Sequence, residues 1–338
     1  MMAAMLVACG RIAFDPASSG DPPDSSPPDP ERPVPPSCAG LPATCGAGGA
    51  DSCCASAPVP GASYFRSHDV ATDNAFASQS NPATVSAFAL DRYEITVERF
   101  RSFVAAGHGT RAAPPAVGAG AHAKIAASGW SEAWNARLAA SAPALIAAVK
   151  CNQTYQTWTD APGGNEHRPM NCITWYEAMA FCAWDGGYLP TEAEWNLAAA
   201  GGAEQRAYPW SSPPGSLALD GTRASYNDGS TCVGDGMAGC AVSDLVFVGT
   251  KPAGNGRWGH SDLAGNVWEW TLDAYGAAYP NPCTDCANLA SSSTRVVRGG
   301  GFGALGAVAS DLRTANRTFD QAPDARLPGV GARCARLP

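Results

Sequence analysis

Hydrophobic and polar positions alternate clearly in only a few stretches of the chain, and these predict a small number of regular elements. Residues 88–95, FALDRYEI, mix β-forming side chains in alternation, which predicts a strand. Thr96 follows as a helix cap. The next apolar residues recur at helical spacing on one face: Val97, Phe100, Phe103 and Val104. A strand followed directly by a short helix is therefore expected here.

Two further helices carry stronger signals at their ends. TWYEAMAFCAWDGG begins at Thr174 and places Glu177 three residues on, which is a capping box, and a glycine pair supplies the stop. TEAEWNLAAAGG repeats the pattern with Thr191 and Glu194. Each cap contributes roughly 1 kcal/mol, which matters because helices this short are marginal alone.

The remaining sequence predicts little regular structure. Residues 105–150 are rich in alanine and resemble an insertion, with a possible helix over 130–150 that Pro143 interrupts. Further along, glycine, proline, asparagine and aromatic residues dominate, and only 245–248 and 295–298 predict brief strands. We therefore expect an irregular, loop-rich α+β body with few short helices and short strands.

The N-terminal region divides into three predicted parts before this body, which we place at residues 59–338. Residues 1–9 end in Leu-Val-Ala-Cys, which resembles a truncated lipoprotein signal in which Cys9 carries lipid, although the positively charged start is missing. Either real residues precede this start, or the match is chance and the segment is a frayed apolar terminus. Residues 10–37 are rich in proline, serine and aspartate and predict a disordered linker. Residues 38–58 form a small cysteine-rich segment.

Composition narrows the functional classes. Only 15% of the 338 residues are charged and the net charge is -8, so no nucleic-acid surface is expected. No apolar run of about 18 residues exists, so membrane contact is expected only through lipid at Cys9. Thirteen cysteines favour an oxidising compartment, and the cluster at Cys38, Cys45, Cys53 and Cys54 predicts two disulfides with three possible connectivities.

One stretch, DLAGNVWEW, places Asp262 and Glu269 on either side of a Gly-Asn turn and two tryptophans. Carboxylates beside tryptophans must be solvated, paired or bound to a cation, because an unpaired buried charge is expensive. The two acids are candidates for an acid–base pair, for metal ligands, or for an ion pair of Glu269 with a core arginine such as Arg298. The acid–base interpretation is weaker than the metal-ligand interpretation, since no nucleophile or histidine stands at an identifiable position beside them.

Six motifs occur in order and together resemble the formylglycine-generating enzyme, or sulfatase-modifying factor, family. They are RPMNCITWYEAMAFCAWDGGYLPTEAEWNLAAAGG, YPW, DLAGNVWEWTLD, RVVRGGGF, RTANR and GARCAR. The resemblance covers roughly residues 60–338. It implies an irregular α+β fold related to C-type lectins, in agreement with the residue pattern.

The resemblance also implies a chemistry that this chain departs from. Active members of the family oxidise a cysteine of a sulfatase to formylglycine with O2 and copper, using two thiols after the RGGS strand. Thiolate sulfur suits Cu(I) and can exchange with a substrate thiol. The matching positions hold Ala304 and Ala309. We therefore expect no catalytic residues at these positions and no copper.

The same comparison implies a disulfide between Cys182 and Cys334. The remaining cysteines then pair locally by hypothesis: Cys151 with Cys172, Cys232 with Cys240, and Cys283 with Cys286. The last pair is a Cys-x-x-Cys, for which a redox motif or half a zinc site is the alternative. We expect a tight loop disulfide instead, because there is no second such motif and no helix follows it to lower a thiol pKa.

Members of the family commonly bind calcium in the DLAGNVWEW loop. The resemblance implies that the ligands are the Asp262 and Glu269 side chains and the backbone carbonyls of Gly265 and Val267. Calcium accepts six to eight oxygens at flexible geometry, which such a loop supplies. A second calcium site is less legible, with Asn227 and Asp235 as candidates.

These observations predict a surface-exposed, calcium-stabilised family member that is not catalytic for formylglycine formation. It would bind an unknown peptide, protein or glycan, and it would lie outside the cytoplasm as a bacterial envelope lipoprotein or a secreted protein. The alternative is an oxidoreductase that converts a protein cysteine to formylglycine through a variant site. A third possibility is an envelope structural protein with no ligand.

Overall fold

The structure is a computed structural model, and it describes residues 33–303 and 308–338. The predictions for Cys9 and Ala304 therefore lie outside the described residues. So do residues 1–9 and most of the predicted linker.

The described residues contain four α-helices, and their bounds are α1 Val97–Ala105, α2 Ala142–Ala148, α3 Trp175–Trp184 and α4 Glu192–Ala200. Thr96 caps α1 as predicted, accepting a hydrogen bond from the Arg99 amide. Both predicted capping boxes are present at the starts of α3 and α4. In the alanine-rich insertion, Pro143 lies in the first turn of α2, where a missing N–H leaves no bond unmade.

In the part of the chain that the structure describes, nine short strands form three sheets. The strands are β1 Ser56–Val59, β2 Ala62–Phe65, β3 Pro82–Val85, β4 Phe88–Asp91, β5 Trp268–Ala274, β6 Arg295–Arg298, β7 Asp320–Gln321, β8 Val330–Gly331 and β9 Ala335–Arg336. One sheet has the order β1-β4-β9, β2 pairs with β3 alone, and a third sheet has the order β7-β6-β5-β8. All pairs are antiparallel except β5 with β8.

The predicted strand at 295–298 is confirmed as β6, and the strand predicted over 88–95 forms over its first half as β4. The strand predicted at 245–248 is wrong. Its backbone groups pair with a loop instead, since the Val248 amide donates to the His167 carbonyl and Arg168 donates to the Leu245 carbonyl. Residues with high β-propensity do not form a strand unless a neighbouring strand is available to pair with them.

The core lies around α3 and α4. Eight of the ten residues of α3 and all nine of α4 are buried. The main apolar cluster joins α1 and α3 to β5 and to the insertion, while a second cluster joins α4 to β1, β3 and β4. Helices surrounded on every side carry no clear apolar stripe, so their capping residues identify them better than periodicity does.

The cysteine-rich segment packs onto this body. Of the three connectivities left open, the structure has Cys38 with Cys54 and Cys45 with Cys53. These sulfurs pack against Tyr93, and β1 crosses the predicted boundary at residue 59 to pair with β4.

A buried ion network lies where the segment meets the body. Arg99 and Arg336 both bind Asp91 and Asp185, at 2.6 to 3.1 Å, and no member is more than 6% exposed. Arg99 also donates to the Ser37 hydroxyl at 3.0 Å. Burial raises the pKa of Asp91, but the Arg336 and Arg99 guanidinium groups outweigh it and hold that pKa below its ordinary value.

Six disulfides join the twelve cysteines of the described residues. This density is typical of proteins in oxidising, extracytoplasmic compartments. In the same residues, every helix is too short or too polar to cross a lipid bilayer.

Candidate functional site

The DLAGNVWEW segment is a tight turn followed directly by β5. Asp262, Gly265 and Asn266 have φ values of 58°, 88° and 61° in the left-handed region. At Gly265 a side chain is excluded by space as well as conformation, because a Cβ would lie 2.4 Å from the Ser225 carbonyl oxygen. The turn thus buries both of its polar side chains before the chain enters the sheet.

Glu269, which sequence reasoning proposed as a metal ligand or ion-pair partner, is ion-paired in the structure. Its carboxylate accepts two hydrogen bonds from Arg333, at 2.7 and 2.8 Å, and one from the Trp195 indole at 2.8 Å. Arg333 is 0% and Glu269 1% exposed. Both carboxylate oxygens are therefore already engaged by protein groups.

Arg298, given as an example of an arginine that could pair with Glu269, is not the residue that pairs with it. It lies opposite Glu269 in the β5–β6 ladder, but its side chain donates to the Asn316 carbonyl and lies 3.6 Å from Glu192. The Trp195 ring separates the two, since its indole nitrogen binds Glu269 while the Arg298 guanidinium lies 5.6 Å from the ring centre.

Two more buried carboxylates face the same turn. Asp262 accepts from the Gly249 amide at 2.7 Å, and Glu94 accepts from the Asn266 side chain at 2.7 Å and from the Val267 amide at 3.3 Å. Sequence reasoning missed Glu94, which is 0% exposed and stands just before α1 in a stretch predicted as an ordinary strand.

The electrostatics of the turn are net negative. Burial raises the pKa of Asp262 to about 6. Burial, followed by the negative charges of Asp262 and Glu269, raises the pKa of Glu94 well above its ordinary value. Arg333 is the one cation that forms an ion pair with this group in the described residues. Asn266 adds a buried side-chain oxygen with no hydrogen-bond donor.

An all-oxygen site with excess negative charge suits a divalent cation such as calcium. Asp262, Glu94 and Asn266 supply oxygens of this chemical kind, and a cation would relieve the repulsion between the carboxylates. In the described residues, however, the acidic side chains of this turn do not form a group of three ligand atoms within 4.8 Å of one another. Glu269 fits less well as a direct ligand, because calcium would have to displace Arg333 or Trp195 from its oxygens.

The candidate ligands for a second calcium site, Asn227 and Asp235, make hydrogen bonds to residues close to them in sequence. Asn227 accepts from the Gly229 amide at 2.8 Å, and Asp235 accepts from Met237 and from the Ser243 hydroxyl. The structure records no contact between Asn227 and Asp235 in the part of the chain it describes.

At the position that the sequence comparison matched to a catalytic thiol, Ala309 is exposed and begins a 3-10 turn, Ala309–Leu312. Its carbonyl accepts from the Tyr208 hydroxyl at 3.3 Å. A methyl group offers neither a metal ligand nor a nucleophile.

All four predicted cysteine pairs are present, including Cys182 with Cys334. Within residues 33–303 and 308–338 every thiol is thus consumed in a disulfide. One group of potential metal ligands comes together there, namely Cys45, Cys53, Glu98 and His167, but its two sulfurs are joined to each other.

A cleft of about 480 Å³ opens on the surface and was not predicted. Its polar and aromatic lining includes Ser67, Phe76, Asn81, Tyr275, Tyr279 and Arg317. The Arg317 guanidinium lies 4.8 Å from the Tyr275 ring and 4.3 Å from the Tyr279 ring, and Glu192 fixes it at 2.7 Å. In the sequence, Arg317 stood out only as the last residue of RTANR.

Arg313 connects this cleft to the turn at Ala309. Its guanidinium lies 5.3 Å from the Phe76 ring in the cleft wall and 5.9 Å from the Tyr208 ring, whose hydroxyl bonds the Ala309 carbonyl. Asp69 holds Arg313 through a buried ion pair at 2.6 Å. The cleft and the Ala309 turn therefore share one wall of aromatic and charged side chains.

Comparison with known proteins identifies relatives of this molecule. Residues 57–338 match the sulfatase-modifying factor enzyme 1-like domain. A formylglycine-generating enzyme of Thermomonospora curvata is 31% identical over 75% of this chain and 83% of its own length. An inactive C-alpha-formylglycine-generating enzyme 2 of Bos taurus is 33% identical over 49% of this chain and 50% of its own. The structure of PvdO from Pseudomonas aeruginosa shares the fold, with a TM-score of 0.56, 19% identity, and coverage of 84% of this chain and 94% of that one.

Proposed function

Because the chain belongs to the sulfatase-modifying factor family, we propose that it is a member that does not form formylglycine and acts as a binding module. The observation that carries this proposal is the lack of a free thiol: Ala309 is a methyl, and all twelve cysteines of the described residues are disulfide-bonded. Relatives of this chain include both a formylglycine-generating enzyme and an inactive one, so family membership alone does not decide between them.

Since every cysteine of residues 33–303 and 308–338 is in a disulfide, this part of the chain offers no thiolate to bind the copper that the family's oxygen chemistry requires. Soft sulfur donors select Cu(I), whereas the backbone and hydroxyl oxygens near Ala309 are hard ligands. The copper affinity of the protein tests this point. We expect the wild-type protein not to compete with a Cu(I) chelator, and the Ala304→Cys/Ala309→Cys variant to compete. Tight stoichiometric Cu(I) binding by the wild type would contradict the proposal.

The ligand site of the binding module is the cleft around Arg317. Polar ligand pockets combine a few fixed hydrogen-bonding groups with aromatic walls, and here Asn81, Tyr275 and the guanidinium of Arg317 supply both. Such a lining favours a peptide or glycan over an apolar ligand.

A glycan and peptide screen tests the cleft. We expect any ligand found to bind the Tyr275→Ala variant at least tenfold more weakly, since buried aromatic contacts dominate such sites. The control is Phe247→Ala, an exposed aromatic that does not line the cleft. Equal loss in both variants, or no loss in Tyr275→Ala, would exclude the cleft as the ligand site.

We also propose that calcium stabilises the turn at residues 262–267, which we call the central turn. Oxygens of Asp262, Glu94 and the surrounding loop would bind the ion. Chelation should lower Tm, and re-addition of calcium should restore it through mass action. Asp262→Asn is the informative variant because Glu269→Ala would also break the Arg333 ion pair. A chelator effect of equal size in wild type and Asp262→Asn would exclude this site.

We also propose that the protein lies outside the cytoplasm, as a lipoprotein anchored through Cys9 or as a secreted protein. The disulfide content supports an extracytoplasmic location. Metabolic labelling with a fatty acid should mark the wild type and not Cys9→Ser, and label retained in Cys9→Ser would contradict anchoring at this residue.

Formylglycine formation through a variant site is the second candidate, favoured by the similarity to the Thermomonospora curvata enzyme. It would require donors other than Ala304 and Ala309. A turnover assay, rather than a binding assay, separates the two candidates.

A further inference from the structure

The Cys283–Cys286 disulfide has an asymmetric environment. Cys283 is 5% exposed and packs in the cluster that includes Val59 and Tyr64, whereas Cys286 is half-buried at the edge of that cluster. In redox-active Cys-x-x-Cys pairs one sulfur is open to attack and the other is protected. The sequence alone predicts a disulfide with a purely structural role, because no helix follows the motif to lower a thiol pKa.

The structure adds a cation that the sequence did not reveal. Arg66 Nη1 lies 3.6 Å from Cys286 Sγ. The guanidinium is fixed by the Pro280 carbonyl at 2.8 Å and by the Asn281 side chain at 2.7 Å. It also lies 4.4 Å from the centre of the Tyr279 ring.

The positive charge of Arg66 is buried without a negatively charged partner in the described residues. Arg66 is 2% exposed, its Nε has no hydrogen-bond acceptor, and no carboxylate of the described residues lies within ion-pair distance of it. A buried charge is costly unless it is paired. A thiolate at Cys286 would supply the missing anion, so Arg66 favours the reduced form of the pair.

The carboxylate next to Cys286 in the sequence already has partners of its own. Asp285, between the two cysteines, accepts from the Ser86 amide and hydroxyl at 2.7 and 2.8 Å and pairs with Lys124 at 3.1 Å. It therefore opposes a Cys286 thiolate less than an unpaired aspartate would.

In the described residues, no other disulfide sulfur has a recorded hydrogen bond from a guanidinium group, although the His167 ring lies within 4.8 Å of the Cys45 and Cys53 sulfurs. The sulfurs of the other disulfides contact neutral groups, namely the Ser37 hydroxyl at 3.2 Å, the Thr44 hydroxyl at 3.6 Å and the Asn227 amide at 3.9 Å.

Cys151–Cys172 and Cys232–Cys240 also join one buried and one half-buried cysteine. Cys232–Cys240 is the matched control because its sequence separation of 8 is nearer to the separation of 3 in Cys283–Cys286 than the 21 of the other pair.

We propose that Cys283–Cys286 is an exchange-active disulfide that accepts electrons from a protein dithiol. A client thiolate attacks Cys286 Sγ, the Cys283–Cys286 bond breaks, and Cys283 leaves and takes up a proton. The second client thiolate then attacks the client sulfur of the mixed disulfide and releases Cys286 as a thiolate beside Arg66. Two electrons pass from the client, which becomes a disulfide, to the Cys283–Cys286 pair. This activity does not depend on which ligand the cleft binds.

Equilibration in glutathione buffers tests the proposal. The full chain is held at a series of reduced-to-oxidised glutathione ratios, acid-quenched, alkylated and analysed by peptide mass spectrometry, which reports each disulfide separately. We expect the equilibrium constant for reducing Cys283–Cys286 to exceed that for Cys232–Cys240 at least tenfold, or about 30 mV in potential. Equal reduction of the two pairs, or later reduction of Cys283–Cys286, would overturn the proposal.

Two variants make the test specific. Arg66→Gln keeps a hydrogen-bonding side chain without the charge, and we expect it to lower the constant for Cys283–Cys286 about tenfold while leaving Cys232–Cys240 unchanged. In Cys283→Ser the lone Cys286 thiolate should attack oxidised glutathione, release one glutathione thiolate and keep the other glutathione as a mixed disulfide on Cys286. This readout does not depend on the folding of Arg66→Gln. An unchanged constant in a folded Arg66→Gln protein, or no adduct on Cys286, would contradict the role assigned here.

Discussion

Arg333 and Glu269 form a buried, doubly hydrogen-bonded ion pair directly below the central turn. The pair also anchors the backbone, because Arg333 donates to the carbonyls of Asp91, Arg92 and Ser261. The ion pair therefore connects distant segments of the chain. Removing one partner destabilises the fold mainly because the other charge remains buried without a counter-charge.

We predict that Arg333→Met lowers the free energy of unfolding by about 3–5 kcal/mol, because Glu269 would remain buried without its counter-charge. Chemical denaturation measures the loss. The control is Arg137→Met, which removes an exposed arginine 3.9 Å from Asp324 and should cost at most about 1 kcal/mol. Similar losses in both variants would show that Glu269 is not held as described.

Asp273 gives a prediction for pH. Burial, together with the charge of Glu192, raises its pKa to about 7, well above the unfolded value of about 3.9. Since the folded state holds the proton more tightly, the stability contributed by this group is fully present below about pH 4 and is lost as pH rises through 7. The loss is on the order of 4 kcal/mol by linkage.

Asp273→Asn cannot titrate, so the difference in unfolding free energy between wild type and variant should fall steadily from pH 4 to pH 7. Denaturation at a series of pH values measures this difference. A difference that is constant over this range would contradict the raised pKa.

The motifs indicated which acidic residues lie at the turn but did not indicate the residues that contact them. The sequence placed Asp262 and Glu269 at one turn, and the structure agrees. It did not reveal Arg333 or Glu94 as their neighbours, because those residues are distant in sequence and reach the turn only through tertiary packing. Arg66 beside Cys286 was missed for the same reason.

At the level of elements, the capping residues determine where the helices begin and end. In α4 the Thr191 hydroxyl accepts from the Glu194 amide at 3.0 Å, and the Glu194 carboxylate accepts from the Thr191 amide at 2.9 Å. Gly201 ends the helix with φ of 66°. All of these groups are buried, so water cannot replace a lost bond.

We predict that Thr191→Ala destabilises the protein by about 1–2 kcal/mol, because it leaves the Glu194 amide without an acceptor. The matched control is Ser141→Ala at the start of α2, where the cap is exposed and water can satisfy the amide, and it should cost less than about 0.5 kcal/mol. Thermal or chemical denaturation compares the two, and equal effects would mean that burial of the cap is unimportant.

The caps also explain which elements the sequence predicted. Helices α1, α3 and α4 begin where Thr96, Thr174 and Thr191 place them. The hairpin of β2 and β3 was missed because sixteen residues of loop separate its strands and conceal the pairing. Strands of two residues, such as β8, depend on neighbours that no local pattern indicates.

On the scale of the whole molecule, disulfides and buried ion pairs hold a loop-rich chain together. Cys182 in α3 is joined to Cys334 near the C-terminus, which closes a sequence separation of 152 residues. The chain-entropy model predicts that a disulfide closing a loop of this length adds about 4–5 kcal/mol to the free energy of unfolding. The bond fixes the last strands against the central helix.

We predict that Cys182→Ala/Cys334→Ala loses about 4–5 kcal/mol, whereas Cys232→Ala/Cys240→Ala, which opens a link of only eight residues, loses less. Unfolding curves of the two double variants provide the comparison. A smaller effect for the long link than for the short one would contradict its role.

The central claim is that the family frame persists here without its thiol chemistry, and a turnover assay tests it most directly. Purified protein is loaded with Cu(I), incubated with a sulfatase-motif peptide under oxygen, and the peptide is analysed by mass spectrometry, with an active formylglycine-generating enzyme as positive control. We predict that the peptide cysteine stays unconverted with this protein. Conversion of that cysteine to formylglycine at a rate proportional to the amount of this protein would contradict the account.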